Sequence, residues 1–415
     1  MLARSLREAF KPSPPGEPWL QRIGATADLP GVRRALSRTC QDRQWLNRQH
    51  VRICRVPAPT FQEEKRALYL RRRFTELGHA ARIDPAGNVV VPVVHARRLP
   101  FIAVTAHMDT TLAPARPEDI RLEPNGTMRG PGVTDNGTGL TALLALSRVL
   151  ARPLVDEPTH NTILIANVAE EGEGNLHGIR YVAEHSPYRE KIERYLVVDG
   201  ASLGHITAAA LGSKRFDLVI EGRGGHSWND FGRANPIHAL SRAIGLMAEA
   251  ELPKRPRATL SVGVIHGGAA VNSIPSMARA KIDVRSADEG AILATAGIVE
   301  DAARIAVQAE NRRATDRLTG FRLREIGCRP AAPPLASNPV ADCFQAVDSY
   351  LRIPSTMDCA STDANVPLAA GVPTVAIGSG GRGGNTHAPG EWYDPHGRDL
   401  GLRRIVLGLA CLQQH

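Results

Sequence analysis

The run Phe101-Ile-Ala-Val-Thr-Ala106 is apolar at nearly every position and stops at His107. A strand that faces water on one side alternates apolar and polar residues, whereas a strand covered on both sides does not. Thr162 to Val168 and Tyr195 to Val198 have the same character, and a helical stretch, Gly139 to Leu150, lies between the first two runs. Doubly covered strands alternating with helices imply an α/β fold, a mostly parallel sheet covered by helices. Ligands gather beyond the carboxyl ends of the strands in such sheets. His107, Glu170-Glu171 and Asp199 each follow shortly on one of these strands, and Asp135 stands just before the helix.

The flanking segments set the domain plan. Residues 1–30 are Pro-rich and read as a loose leader, and a helical pattern runs from about Leu36 to Gln49. Pro57-Ala-Pro59 breaks the chain, and Thr60, with Glu63 three residues on, reads as the N-cap of a helix ending near Gly78. Residues 81–93 read as a strand pair broken at Gly87-Asn88. From Lys214 the order becomes strand Phe216 to Glu221, helix Pro236 to Ala250, strand Ala258 to Ile265, strand Ala278 to Arg285, helix Gly290 to Asn311 and strand Phe321 to Ile326. That β-α-β-β-α-β order describes an inserted ferredoxin-like α+β domain over 214–326, with 1–213 and 327–415 forming the first and second parts of the main domain.

Composition narrows the partners. The 415 residues carry a formal net charge of +9, but the positive charge is scattered; its densest run, Arg71-Arg72-Arg73, is not interleaved with aromatics. Nucleic-acid binding is therefore not expected. No run approaches the length of a membrane span, and the N-terminus carries charges where a signal peptide needs an apolar core. The six cysteines form no C-x-x-C pair, as expected of reduced thiols in a cytoplasmic protein.

The acidic and histidine motifs carry the chemistry. Amide hydrolysis needs an activated water and a polarised carbonyl, and two metal ions ~3.5–4 Å apart supply both. Imidazole and carboxylate ligands suit zinc, cobalt or manganese better than calcium. His107 would bind metal, and Asp109, two residues on, would hold its other ring nitrogen; the alternative is a buried His beside an exposed Asp. Asp135, in the glycine-dense loop Gly130 to Gly139, is the candidate bridging carboxylate, while Thr134 or Asp135 could instead cap the helix. Neighbouring side chains diverge, so Glu171 reads as a ligand and Glu170 as general base, against a solvated acidic loop. Asp199 would complete one metal's shell or serve as a turn residue, and His387 would bring the last ligand from a glycine-rich loop or remain solvated. That glycine run lacks a following P-loop lysine, which argues against a nucleotide site. In the inserted domain His226, Asn272 and Arg285 are polar groups that could meet substrate, or equally a loop His, a turn Asn and a surface Arg.

As an ordered set these motifs resemble a known family. The segments AHMDT (106–110), GPGVTDNGTG (130–139), NVAEEGEG (167–174), VVDG (197–200), GGHSWND (224–230), GGAAVNSIPSMARAKIDVR (267–285) and THAPGEW (386–392) are similar to those of the di-zinc metallopeptidases that include peptidase T, carboxypeptidase G, aminoacylase and acetylornithine deacetylase. The resemblance implies a zinc-exopeptidase-like catalytic domain with the inserted domain as a lid. It implies His107, Asp135 and Asp199 on one zinc, and Asp135, Glu171 and His387 on the other. Glu170 matches the general base, and Asp109 the residue that orients His107. His226 matches a lid histidine that stabilises the tetrahedral oxyanion, often from the partner in a homodimer formed through the lid, and Asn272 and Arg285 fall where relatives hold substrate.

Two departures refine this expectation. Asp199 stands where many deacylase-like relatives have Glu, and the loop reads TDNGTG where many carry a Lys-Gly-Gly version. Both tilt the resemblance toward the di- and tripeptide aminopeptidase branch, with an N-acyl-amino-acid amidohydrolase or a carboxypeptidase as the alternative. A non-catalytic protein of the same fold would lack a ligand or the base, and none is missing.

Overall fold

The structure, a computed structural model, describes residues 17–318 and 320–415. Contacts divide the chain into two units, one made of the chain up to Ala210 together with Pro334–His415, the other of Leu211–Pro333. The helices include α1 (Glu17–Asp28), α2 (Pro30–Gln41), α3 (Arg43–Cys54), α4 (Glu64–Glu76), α5 (Gly137–Val149), α6 (His177–Glu184), α7 (Pro236–Glu249), α8 (Glu289–Arg313), α9 (Pro339–Leu351), α10 (Asn365–Ala369) and α11 (Arg398–Leu412). The strands of the two main sheets are β1 (Arg82–Ile83), β2 (Val89–Val93), β3 (Phe101–His107), β4 (Asn161–Asn167), β5 (Ile192–Val198), β6 (His205–Ala210), β7 (Gly212–Glu221), β8 (Ala258–Gly267), β9 (Met277–Ser286), β10 (Gly320–Arg329), β11 (Thr356–Ala360) and β12 (Thr374–Ile377).

The first unit is built on an eight-stranded sheet ordered β1-β2-β4-β3-β5-β12-β6-β11. Its centre is parallel: β3 pairs in parallel with β4 and β5, and β12 with β5. Every residue of β3 and β4 is buried, as their largely apolar, non-alternating runs imply. Alternate residues of β3 enter different cores. Ile102, Val104 and Ala106 pack in the larger cluster with α1–α5, α9 and α11, while Phe101 and Ala103 join the smaller one with α6. The doubly covered α/β sheet read from the sequence is the architecture observed. No helix among the described residues is long and apolar enough to cross a membrane.

Several local expectations are corrected. The leader is helical from Glu17, because Ile23 and Thr26 of α1 are buried, Ile23 in the main core; residues 1–16 lie outside the described residues. The pattern from Leu36 to Gln49 is two helices that meet at Asp42. Thr60 does not cap α4, which starts at Glu64; its hydroxyl instead donates to Asp109 at 3.0 Å.

The second unit is a four-stranded antiparallel sheet ordered β8-β9-β7-β10, the ferredoxin-like order, with α7 and α8 covering one face. It extends beyond 214–326 at both ends, because β7 starts at Gly212 and β10 runs to Arg329. Period-2 burial along β9 leaves the open face charged, and Asp217 there receives Arg279 at 2.8 Å and Arg324 at 3.4 Å.

In the first unit, Arg404 of α11 and Asp348 of α9 form a fully buried bidentate pair, with both contacts at 2.6 Å. Removing one partner strands the other charge in the core, whereas replacing both with apolar groups does not. Arg404→Met is expected to lower unfolding free energy by about 3–5 kcal/mol. Urea denaturation should show most of that loss recovered in Arg404→Met/Asp348→Leu; equal losses in the single and double variants would refute the account.

Candidate metal centre

Three neighbouring parallel strands end on the same side with polar residues. In the β3–β4 register His107 stands opposite Asn167, so Glu170 and Glu171 follow three and four residues beyond that level. β5 ends at Val198, and the Asp199 N–H donates to the Ile377 carbonyl at the end of β12. The β12 end leads into the loop that carries His387, whose φ of 62° is left-handed.

The side chains converge on Asp135. Its Oδ1 lies 2.9 Å from His107 Nε2, and its Oδ2 lies 3.0 Å from His387 Nε2. One carboxylate thus faces two imidazoles with different oxygens. Asp199 Oδ1 is 3.7 Å from His107 Nε2, and Glu171 Oε1 is 2.7 Å from His387 Nε2. Candidate donor atoms of His107, Asp135 and Glu171 all lie within 4.8 Å of one another.

This donor set fits two divalent cations of the zinc, cobalt or manganese kind: mixed nitrogen and oxygen donors, with one carboxylate placed to be shared. The charge balance points the same way. Hydrogen bonds to Asp135 and Glu171 raise His387 to about 10. Burial opposes protonation of His107, yet its bonds to Asp109, Asp135 and Asp199 hold it well above its usual value. Both shifts express a converging negative field, which a metal would balance.

The supporting contacts lie largely outside the residues singled out from the sequence. β3 stops at His107, so Asp109 does not share a strand face with it. His107 Nδ1 instead lies 3.0 Å from the Asp109 carbonyl and 3.4 Å from its Oδ1. The Asp109 carboxylate accepts the N–H groups of Glu170 at 3.0 Å and Glu171 at 2.9 Å, so one residue orients the imidazole and pins the acidic turn. Glu63 receives the Ala169 N–H at 2.9 Å in the same turn, where Ala169 has a positive φ of 51°. Buried Arg66 of α4 grips the carbonyls of Val56 and Met108 at 2.7 and 2.6 Å.

The Asp135 loop is held from its other side. Glu391, four residues after His387, accepts the N–H groups of Gly132 at 2.7 Å, Thr134 at 2.7 Å and Asp135 at 2.9 Å. Asn136, rather than Thr134 or Asp135, caps α5 by accepting the Gly139 N–H at 3.0 Å. Gly139 sits so close to β5 that a Cβ there would lie 2.5 Å from the Val198 carbonyl oxygen. Beneath the loop His50 lies 2.7 Å from the Val133 carbonyl through Nε2, and its Nδ1 receives Arg398 at 2.7 Å. Burial, reinforced by Arg398, lowers His50 well below its usual value. Asp363, also buried, is bound by the Asn167 amide at 2.7 Å; burial pushes it up to about 7. Only spacing hinted at any of these: Glu391 shares the His387 motif.

Glu170 is 4% exposed and Glu171 8% exposed, so the solvated-loop alternative does not hold. In the second unit His226 pairs with Ser273 in a two-residue ladder, and the Ser227 N–H donates to the Asn272 carbonyl at 3.0 Å, bringing His226 and Asn272 together. The Trp228 N–H donates to His226 Nδ1 at 3.2 Å, which selects the tautomer whose Nε2 is a donor. Arg285 sits near the far end of β9, roughly 26 Å along the strand from Met277 at about 3.3 Å per residue, and its Nε is bound to Asp283 at 2.6 Å.

Residues 103–411 match the family described as peptidase family M20/M25/M40. A Mycobacterium tuberculosis protein assigned as a succinyl-diaminopimelate desuccinylase is 27% identical over 230 residues, covering 52% of this chain. The chain spans 60% of the length of that relative. The aminopeptidase PepT of Bacillus cereus superposes with a TM-score of 0.66 at 18% identity, over 88% of this chain and 98% of that one. A dinuclear metal-binding peptidase of Bacillus subtilis does so with a TM-score of 0.57 at 17% identity, over 89% and 98%. At these identities the two structures establish a shared fold.

The Glu391 carboxylate is engaged by three backbone N–H groups, so its contribution can be measured through the loop it fixes. Glu391→Ala is expected to weaken divalent-metal binding about 10–100-fold, as loss of such supporting groups does. Competition against a chromophoric chelator checks this; unchanged affinity in a folded variant would contradict it.

Proposed function

The chain belongs to peptidase family M20/M25/M40, and on that premise we propose that it hydrolyses an amide bond in short peptides as a di- or tripeptide aminopeptidase. The observation that carries the proposal is Asp135, whose two oxygens face His107 and His387 separately. In this reading His107, Asp135 and Asp199 hold one ion, and Asp135, Glu171 and His387 the other. Zinc is the proposed metal, with cobalt or manganese able to replace it. When bound, such a pair supplies the charge that acidifies a water and polarises the scissile carbonyl.

The remaining steps belong to side chains. Glu170, held on a turn pinned by Asp109, takes the proton of the attacking water and passes it to the departing amine. Asp109 keeps His107 in the tautomer that presents Nε2. His226, with Nε2 as donor, stabilises the oxyanion of the tetrahedral intermediate. Asn272 is assigned to substrate binding on its place beside His226, and Arg285 on the family resemblance alone.

The aminopeptidase assignment draws on the aspartate at 199 and on the fold shared with aminopeptidase PepT. The desuccinylase name of the Mycobacterium relative favours a second reading, hydrolysis of N-acyl-amino acids. Comparing free and N-blocked di- and tripeptides separates the two: turnover of blocked substrates alone would select the deacylase. A homodimer through the second unit is also proposed, supported by Val264 and Ile265, 38% and 56% exposed on edge strand β8. None of the six cysteines, all of them among the described residues, forms a disulfide, which suits the proposed cytoplasmic location.

Glu170→Gln is expected to lower kcat about 10²–10⁴-fold while leaving metal content unchanged, since it removes a base and not a ligand. Steady-state kinetics with metal analysis tests this, and full activity in the variant would eliminate the assigned role. Dialysis against a chelator should abolish turnover, and zinc, cobalt or manganese should restore it. Activity that persists after removal of all divalent ions would exclude the mechanism.

A further inference from the structure

In the first unit, a cavity of about 570 Å³ is lined by Arg34 and Arg38 of α2, Trp45 of α3, Arg148 of α5 and Arg152 just beyond it, with Glu76 at the end of α4. Four guanidinium groups thus share the lining with one carboxylate. Glu76 is already engaged, taking Arg72 at 2.8 Å and also Arg73. Asp42, between α2 and α3, is divided: its Oδ2 receives Arg38 Nε at 3.2 Å and lies 3.3 Å from Arg148 Nε. Arg34 gives one N–H to the Pro153 carbonyl at 3.1 Å. The Arg148 guanidinium lies 4.3 Å from the centre of the Trp45 ring and occupies that face of the indole. Burial holds Arg148 below its usual pKa; Asp42 pulls the other way and Arg38 adds to the lowering.

Excess positive charge in a concave, partly apolar wall concentrates potential and draws in counter-charge. Guanidinium forks match the paired oxygens of phosphate, and the volume lies within the ~300–1,000 Å³ of small-molecule sites. We propose that this cavity binds a phosphorylated small molecule bearing at least two negative charges. With one face of Trp45 taken by Arg148, recognition is by charge and hydrogen bonding to phosphate oxygens rather than by stacking. The site shares no residue with the metal centre, so it stands or falls independently of the hydrolase reading.

Calorimetry with inorganic pyrophosphate at low salt tests the proposal on the wild type, on Arg34→Glu/Arg152→Glu and on Asp135→Asn. The expected result is one pyrophosphate per chain, bound at least tenfold more weakly by the arginine variant, retained by Asp135→Asn and weakened by added salt. No binding to the wild type, equal binding to the arginine variant, or loss of binding in Asp135→Asn would overturn it; the last would place pyrophosphate at the metal centre. Arg34 and Arg152 are both exposed, so the fold should survive. If melting shows otherwise, Arg152→Gln alone should still bind more weakly than wild type, and unchanged binding there would count against the site.

Discussion

Asp135 must present one oxygen to His107 and the other to His387, and much of the first unit is arranged around that demand. A carboxylate among other carboxylates is unstable in a buried place unless cations or donors balance it. The chain answers with two imidazoles in front and a firmly held loop behind. Three backbone N–H groups of that loop are given to Glu391, and the Val133 carbonyl is engaged by His50. The loop is thus tied through side chains to the segment after His387 and to α3. Displacement of any one tie would move the shared carboxylate relative to both imidazoles.

The acidic turn after β4 obeys the same logic. Glu170 and Glu171 follow β4, and their backbone N–H groups both point to Asp109. Asp109 therefore couples the orientation of His107 to the placement of both glutamates. Thr60 and Arg66 extend that coupling into the break before α4 and into its first turn. The segment Pro57 to Glu63, which reads as a chain break followed by a helix cap, is a brace for the metal centre.

The arginine-rich composition also has a local meaning. Many arginines are spent on surface pairs such as Arg33–Asp28, which contribute little in water. Others are buried and structural: Arg404 on Asp348, Arg66 on two carbonyls, Arg398 on Asn47, His50 and Tyr393. The cavity of Arg34, Arg38, Arg148 and Arg152 differs from both groups, because its nearby carboxylates are already shared.

The sequence by itself determined the parallel sheet and the strand ends at which chemistry would gather. Non-alternating, nearly all-apolar runs such as Phe101 to Ala106 can be satisfied only by cover on both faces, and that constraint is local. It likewise carried His107, Asp135, Glu171, Asp199 and His387, because their residue types and order are visible without coordinates. The tertiary structure alone decided how they are held. Glu391 lies 256 residues beyond Asp135, whose N–H it accepts, and Glu63 lies 106 residues before Ala169. Asn136 took the helix cap, and Arg66 and Arg398 became internal braces. Such choices depend on which backbone N–H and carbonyl groups are left unpaired once the sheet has closed, and no short stretch of sequence contains that information.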